Sequence, residues 1–111
     1  MGAIPDVDLE RIKRFCAEQS PTELADELRV IHKVRGDSVT LAESRPPWDG
    51  RGGEWIDVPF AQVRYSPGTS KWSLYWADRH SRWHPYERVR PGSLAKLLLE
   101  IDEDPTCIFK G

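Results

Sequence analysis

Residues 28–44 read LRVIHKVRGDSVTLAES. Leu28, Val30, His32 and Val34 fall on one side of an extended chain, and Arg29, Ile31, Lys33 and Arg35 on the other. That is the period of a β-strand. Gly36-Asp37 is a two-residue hairpin signal, and Ser38–Ser44 returns as a second strand. The turn sets the register: Arg35 faces Ser38, Val34 faces Val39 and His32 faces Leu41. Glu43 then lies diagonally from His32 on the same face.

On the N-terminal side, Asp6–Gln19 reads as an amphipathic helix started by Pro5-Asp6. Leu9, Ile12, Phe15 and Cys16 form its apolar face, with Glu10, Lys13, Arg14 and Glu18 opposite. Ser20-Pro21-Thr22-Glu23 is a capping box with proline at the first helical position, which predicts a short helix over Pro21–Glu27. Beyond the hairpin, Arg45–Glu54 (RPPWDGRGGE) is a loop, since its prolines and glycines forbid regular structure. Trp55–Tyr65 resumes as a strand interrupted at Pro59, with Phe60–Tyr65 as the regular part.

Ser66-Pro67-Gly68-Thr69 is a turn. Lys71–Ala77 (KWSLYWA) alternates again, with Trp72, Leu74 and Trp76 on one face. Asp78–Ser81 reverses the chain and Arg82–Tyr86 is a short fifth strand, which Pro85 places at an edge or ends early. Pro91-Gly92-Ser93 caps a last helix with Leu94, Leu97, Leu98 and Ile101 as its stripe, ended by Asp102–Asp104 and Pro105. Cys107-Ile108-Phe109 is expected to tuck back on the core. Strands in a run, flanked by helices, argue an α+β fold. The expectation is one domain over residues 1–111: an antiparallel sheet of about five strands, packed on one face by N-terminal and C-terminal helices. The other face stays more open.

An apolar content of 39% with 31% charged residues suits a globular chain and excludes a disordered one. No apolar run approaches a membrane span, and no signal-peptide layout opens the chain. Cys16 and Cys107 are far apart, which favours free thiols and a cytoplasmic setting. The net charge of −2 hides a division. Residues 1–27 carry −4, residues 28–92 carry +4 and residues 93–111 carry −2. A basic sheet between acidic helices admits an anionic partner, or simply solubilises different faces.

Three segments together are similar to DUF3024, a family of small bacterial proteins of unknown function. They are VRGDSVTLAESRPPWDG, KWSLYWADRHSRWHPYE and SLAKLLLEIDEDPTCIFKG, spanning roughly residues 28–111. The resemblance implies a compact α+β domain of about this length. It implies no activity, cofactor or catalytic residue.

Two constellations stand out as binding candidates. The first is the aromatic run: Tyr75, Trp83, His84 and Tyr86 beside Arg64, Lys71, Arg79 and Arg82, a mixture that can stack on bases and grip phosphates. Trp72 and Trp76 alternate with Leu74 and belong to the core, while Tyr75 and Tyr86 are expected at the surface. The second is the loop, where Arg45, Trp48 and Arg51 sit among glycines as a ligand contact or as a lid on the core. GRGG lacks the Lys-Ser/Thr and the strand-to-helix setting of a phosphate loop. Asp78, His80 and His84 straddle a turn, where two histidines four apart do not share a face as they do on a helix. His32 with Glu43 forms a candidate buried acid/base pair, and Asp49, Glu54 and Asp57 a candidate cation cluster. Cys16 reads as an inert packing thiol, and no serine sits in a nucleophile elbow. No catalytic set, metal site or cofactor is expected. The sequence reads as a binding domain that uses the open sheet face and the Arg45–Trp55 loop. Its acidic pI of about 5.9 puts a protein partner, or a second copy through an exposed strand, ahead of single-stranded nucleic acid. A small enzyme with a His/acidic site is the remaining alternative, and no membrane association is expected.

Overall fold

The structure is a computed structural model that describes residues 4–20, 28–47 and 53–109. Within these the order is α1 (Asp6–Gln19), β1 (Arg29–Arg35), β2 (Ser38–Arg45), β3 (Ile56–Ser66), β4 (Lys71–Ala77), β5 (Trp83–Pro85) and α2 (Leu94–Glu103). The fold is α+β. The helix expected over Pro21–Glu27 lies outside the described residues.

The strands form one antiparallel meander in the order β1-β2-β3-β4-β5. The first hairpin has the register its turn dictates, with Arg35 opposite Ser38, Val34 opposite Val39 and His32 opposite Leu41. Gly36 at the turn has φ +60°, a conformation glycine adopts without steric cost. β3 departs from expectation because it runs through Pro59. Leu41 faces Ala61 while Ala42 faces Pro59, so Phe60 is skipped and the ladder is bulged there. A proline offers no N–H to a ladder, and the bulge lets the strand continue past it.

One face of the sheet carries Val39, Leu41, Ala61, Val63, Trp72 and Leu74, all buried against Ile12 and Phe15 of α1 and Leu94, Leu97 and Ile101 of α2. Burying side chains of this size stabilises by roughly 1.5–3 kcal/mol each. Trp72 is 1% exposed. Its ring packs on Tyr65 and its indole Nε1–H donates to Asp8 Oδ2 at 3.0 Å, so the one polar atom of the buried ring is satisfied. Trp76 also packs against this cluster, though half-buried.

The helix ends are tied down by side chains. Ser20 Oγ donates to Cys16 O at 2.8 Å and accepts the Val30 N–H at 2.9 Å, which joins the end of α1 to the edge strand β1. Ser93 caps α2, and Asp104 ends it in the left-handed region. The Asp104 carboxylate then accepts the N–H groups of Ile108 and Phe109, which turns the tail inward. Phe109 is buried against Tyr86, as the tucked-back tail requires. No described helix is long and apolar enough to cross a membrane.

Candidate functional site

The helices cover one face, and strand alternation assigns residues to the other. β1 contributes Arg29, Ile31, Lys33 and Arg35; β3 contributes Asp57, Gln62 and Arg64; β4 contributes Lys71, Ser73 and Tyr75; β5 contributes Trp83. These side chains are tied into a polar layer. Gln62 Nε2 donates to Thr40 Oγ1 at 2.9 Å, and Arg64 Nε donates to Gln62 Oε1 at 2.7 Å. The Arg64 guanidinium lies 3.8 Å from the centroid of the Tyr75 ring. Arg29 lies likewise over Trp55 at 4.4 Å. Such stacking fixes the orientation of a guanidinium.

Asp57 is the only carboxylate that the described strands place on this face. Lys33 Nζ donates to it at 2.7 Å and Ser44 Oγ at 2.7 Å. These hydrogen bonds, Lys33 first, hold its carboxyl below the usual carboxylate range. Arg35, Arg64 and Lys71 have no acidic partner among the described residues. At the Arg29 end Ala42 and Ser44 are buried, while Arg29, Lys33, Arg35 and Lys71 are themselves exposed and Arg64 is half-buried.

Beside this surface is a hollow of about 310 Å³. It exists because β5 is short. The chain pairs with β4 at Pro85–Tyr75 and again at Gly92–Trp72, and bows outward between them. The hollow is lined by Tyr75, Ser73, Pro85, Glu87, Val89 and Arg90, among others.

The family described as a domain of unknown function, DUF3024, matches residues 3–111. The chain belongs to the DUF3024 family. No curated protein and no solved structure matches it.

In this DUF3024 member the residues singled out from sequence divide between faces. Tyr75 and Trp83 lie half-buried on the open face. His84 lies on the helix side, stacked on Trp76 at 4.7 Å, and its Nε2 meets Asp78 Oδ2 at 2.7 Å. That hydrogen bond, helped by the Arg82 and His80 backbone N–H groups, lowers the Asp78 carboxyl to about 2. Arg79 and Arg82 are exposed in the β4–β5 turn. Arg45 is paired with Glu43 at 2.9 Å. Trp48 and Arg51 lie outside the described residues, as does Asp49.

Tyr86 requires correction. It is 6% exposed, not a surface residue. It shares strand parity with Trp76 and His84, so its ring points to the helix side. Its hydroxyl donates to Glu100 Oε2 at 2.8 Å. Arg88 Nε reaches the same oxygen at 3.2 Å.

The other candidates resolve more simply. His32 and Glu43 are each half-buried, not a buried pair, and the Glu43 carboxylate is bonded to Arg45. Among the described residues no three His, Cys, Asp or Glu side chains are grouped to hold a metal. Cys16 and Cys107 are both free, and burial pushes the Cys16 thiol up to about 11. Sequence reasoning passed over Arg29, Lys33 and Arg35 as binding residues. The signal was present, since they occupy alternate positions of β1 and therefore share a face.

Proposed function

We propose that the open face of this DUF3024 domain binds single-stranded nucleic acid. One observation carries the reading. Five cations, Arg29, Lys33, Arg35, Arg64 and Lys71, share a face with Tyr75 and Trp83 and with a single strand carboxylate, Asp57. Cations beside aromatic rings on an open sheet suit phosphates and unstacked bases together. The acidic pI argued for a protein partner while charge was counted over the whole chain. Segregation of the charge onto one face weakens that argument. A protein-docking surface would present a contiguous apolar patch. Among the described residues the exposed large apolar side chains, Val7, Val34, Ile56, Val58 and Leu99, are instead spread over α1, β1, β3 and α2. Two copies meeting by their open faces would bring like charges together.

The test is fluorescence anisotropy with a labelled single-stranded oligonucleotide of about 12 nucleotides, a length typical of such sites. Each phosphate neutralised on a single strand contributes about −0.7 to the slope of log K against log salt. Arg35, Arg64 and Lys71 together therefore predict a slope near −2. Replacing all three with alanine should bring the slope close to zero while circular dichroism stays unchanged. Absence of binding at low salt, or equal affinity for polyglutamate, overturns the proposal.

A further inference from the structure

The hollow beside Tyr75 is not used by the phosphate-binding surface, and its chemistry is specific. Arg64 covers one face of the Tyr75 ring but does not line the hollow. Among the described residues no second ring or cation is stacked on Tyr75. Pro85 and Val89 add apolar wall, and the volume of about 310 Å³ suits one planar heterocycle. Glu87 and Arg90, both in the lining, have no hydrogen bond or ion pair among the described residues. Their neighbour Arg88 is instead committed to Glu100. A carboxylate acceptor and a guanidinium donor thus stand unspent at the rim of an aromatic-walled hollow.

We infer that this hollow is a base-recognition pocket that prefers guanine. The inference rests on the nucleic-acid reading of the open face and deepens it. Guanine alone among the common bases offers neighbouring N–H donors, at N1 and N2, together with two strong acceptors, O6 and N7. Glu87 accepts from the donors, Arg90 donates to the acceptors, and the free face of Tyr75 stacks on the ring. Adenine places its amino donor where guanine has O6. Cytosine and uracil lack the second ring that would span from Glu87 to Arg90. The neighbouring cations take the phosphates, so the strand crosses the sheet with one base turned in at its β4 side.

The experiment compares uridine oligonucleotides of about 12 nucleotides carrying one central guanosine, adenosine or cytidine, with free guanosine monophosphate as a separate arm. The guanosine strand should bind about tenfold or more tightly than the others. Glu87→Gln should remove that preference while leaving the affinity for oligouridine and the salt slope unchanged. Tyr75→Leu should weaken all strands, and thermal melts report whether each variant folds. Binding of free guanosine monophosphate as tight as that of the strand would make the pocket a nucleotide site and overturn its place in strand recognition. Equal affinity for all four strands with the salt slope retained overturns base recognition alone. No binding of any strand overturns the open-face reading as well.

Discussion

Replacing Tyr86 by phenylalanine separates a structural tyrosine from a binding one. The ring is buried against Phe109, with centroids 5.0 Å apart, and phenylalanine preserves that packing. What is lost is one hydroxyl, which donates to Glu100 Oε2 at 2.8 Å. A hydrogen bond to a charged acceptor contributes about 1.5–3 kcal/mol. Glu100 keeps Arg88 at 3.2 Å and its side chain is 17% exposed, so the carboxylate is not orphaned. The cost should fall at the lower end, about 1.5 kcal/mol. For a chain of this length that lowers Tm by about 6 °C, and urea denaturation should show a lower midpoint with an unchanged slope. Burial first, and Glu100 next, raise the Tyr86 phenol above its usual 10. A group with a raised folded pKa contributes fully below its unfolded value and loses that contribution as pH rises through the folded one. The stability gap between wild type and variant should therefore be constant at neutral pH and narrow above about pH 10. If Tyr86→Phe melts like wild type but loses oligonucleotide affinity, the residue faces solvent and the assignment to the helix side is wrong.

Further expected outcomes follow from the core, the β4–β5 turn and the thiols. Leu97→Ala, at a fully buried position on α2, should cost about 2–5 kcal/mol in urea unfolding; a loss under 1 kcal/mol would mean that α2 does not pack as described. Asp78→Asn removes a carboxyl lowered to about 2 by His84. A lowered pKa stabilises above the unfolded value, so the variant should be less stable than wild type near pH 6, and the difference should vanish as pH falls from 3.8 towards 2. A pH-independent difference would show that ionisation of the Asp78 carboxyl plays no part. A thiol reagent at pH 8 should modify one cysteine of the native protein, the exposed Cys107, and reach Cys16 only after unfolding, because burial holds that thiol near 11. Rapid labelling of both would refute the burial of Cys16.

Most of the fold was legible because its elements are signalled locally. The spacing of Ile12, Phe15 and Cys16 gave α1, and Gly36-Asp37 set the first register without any tertiary information. Pro59 misled, because proline forbids a ladder hydrogen bond but not a bulge, and only the neighbouring strand shows that a residue can be skipped. Tyr86 misled for a different reason. The parity that placed Trp72 and Trp76 in the core applies across β5 as well, yet a three-residue strand is too short to announce it. The open-face cations were readable from alternation in β1, once the buried face was known. The hollow was not readable, since it depends on where residues 87–91 leave the sheet between two points of contact.

The meander also has a consequence in time. Every strand pairs with the strand next in sequence, so the sheet can assemble in the order in which the ribosome makes it. α1 is secured in stages: Ser20 ties its end to Val30 of β1, 10 residues later, but Asp8 waits for Trp72, 64 residues later, and Gln19 for Asp102, 83 residues later. At about 5–20 residues per second, Asp102 follows Gln19 by about 4–17 s. Through that interval Ile12, Phe15 and Cys16 lack the part of their cluster that α2 supplies. The helix is thus anchored early at Ser20 and fully covered only after α2 has been made.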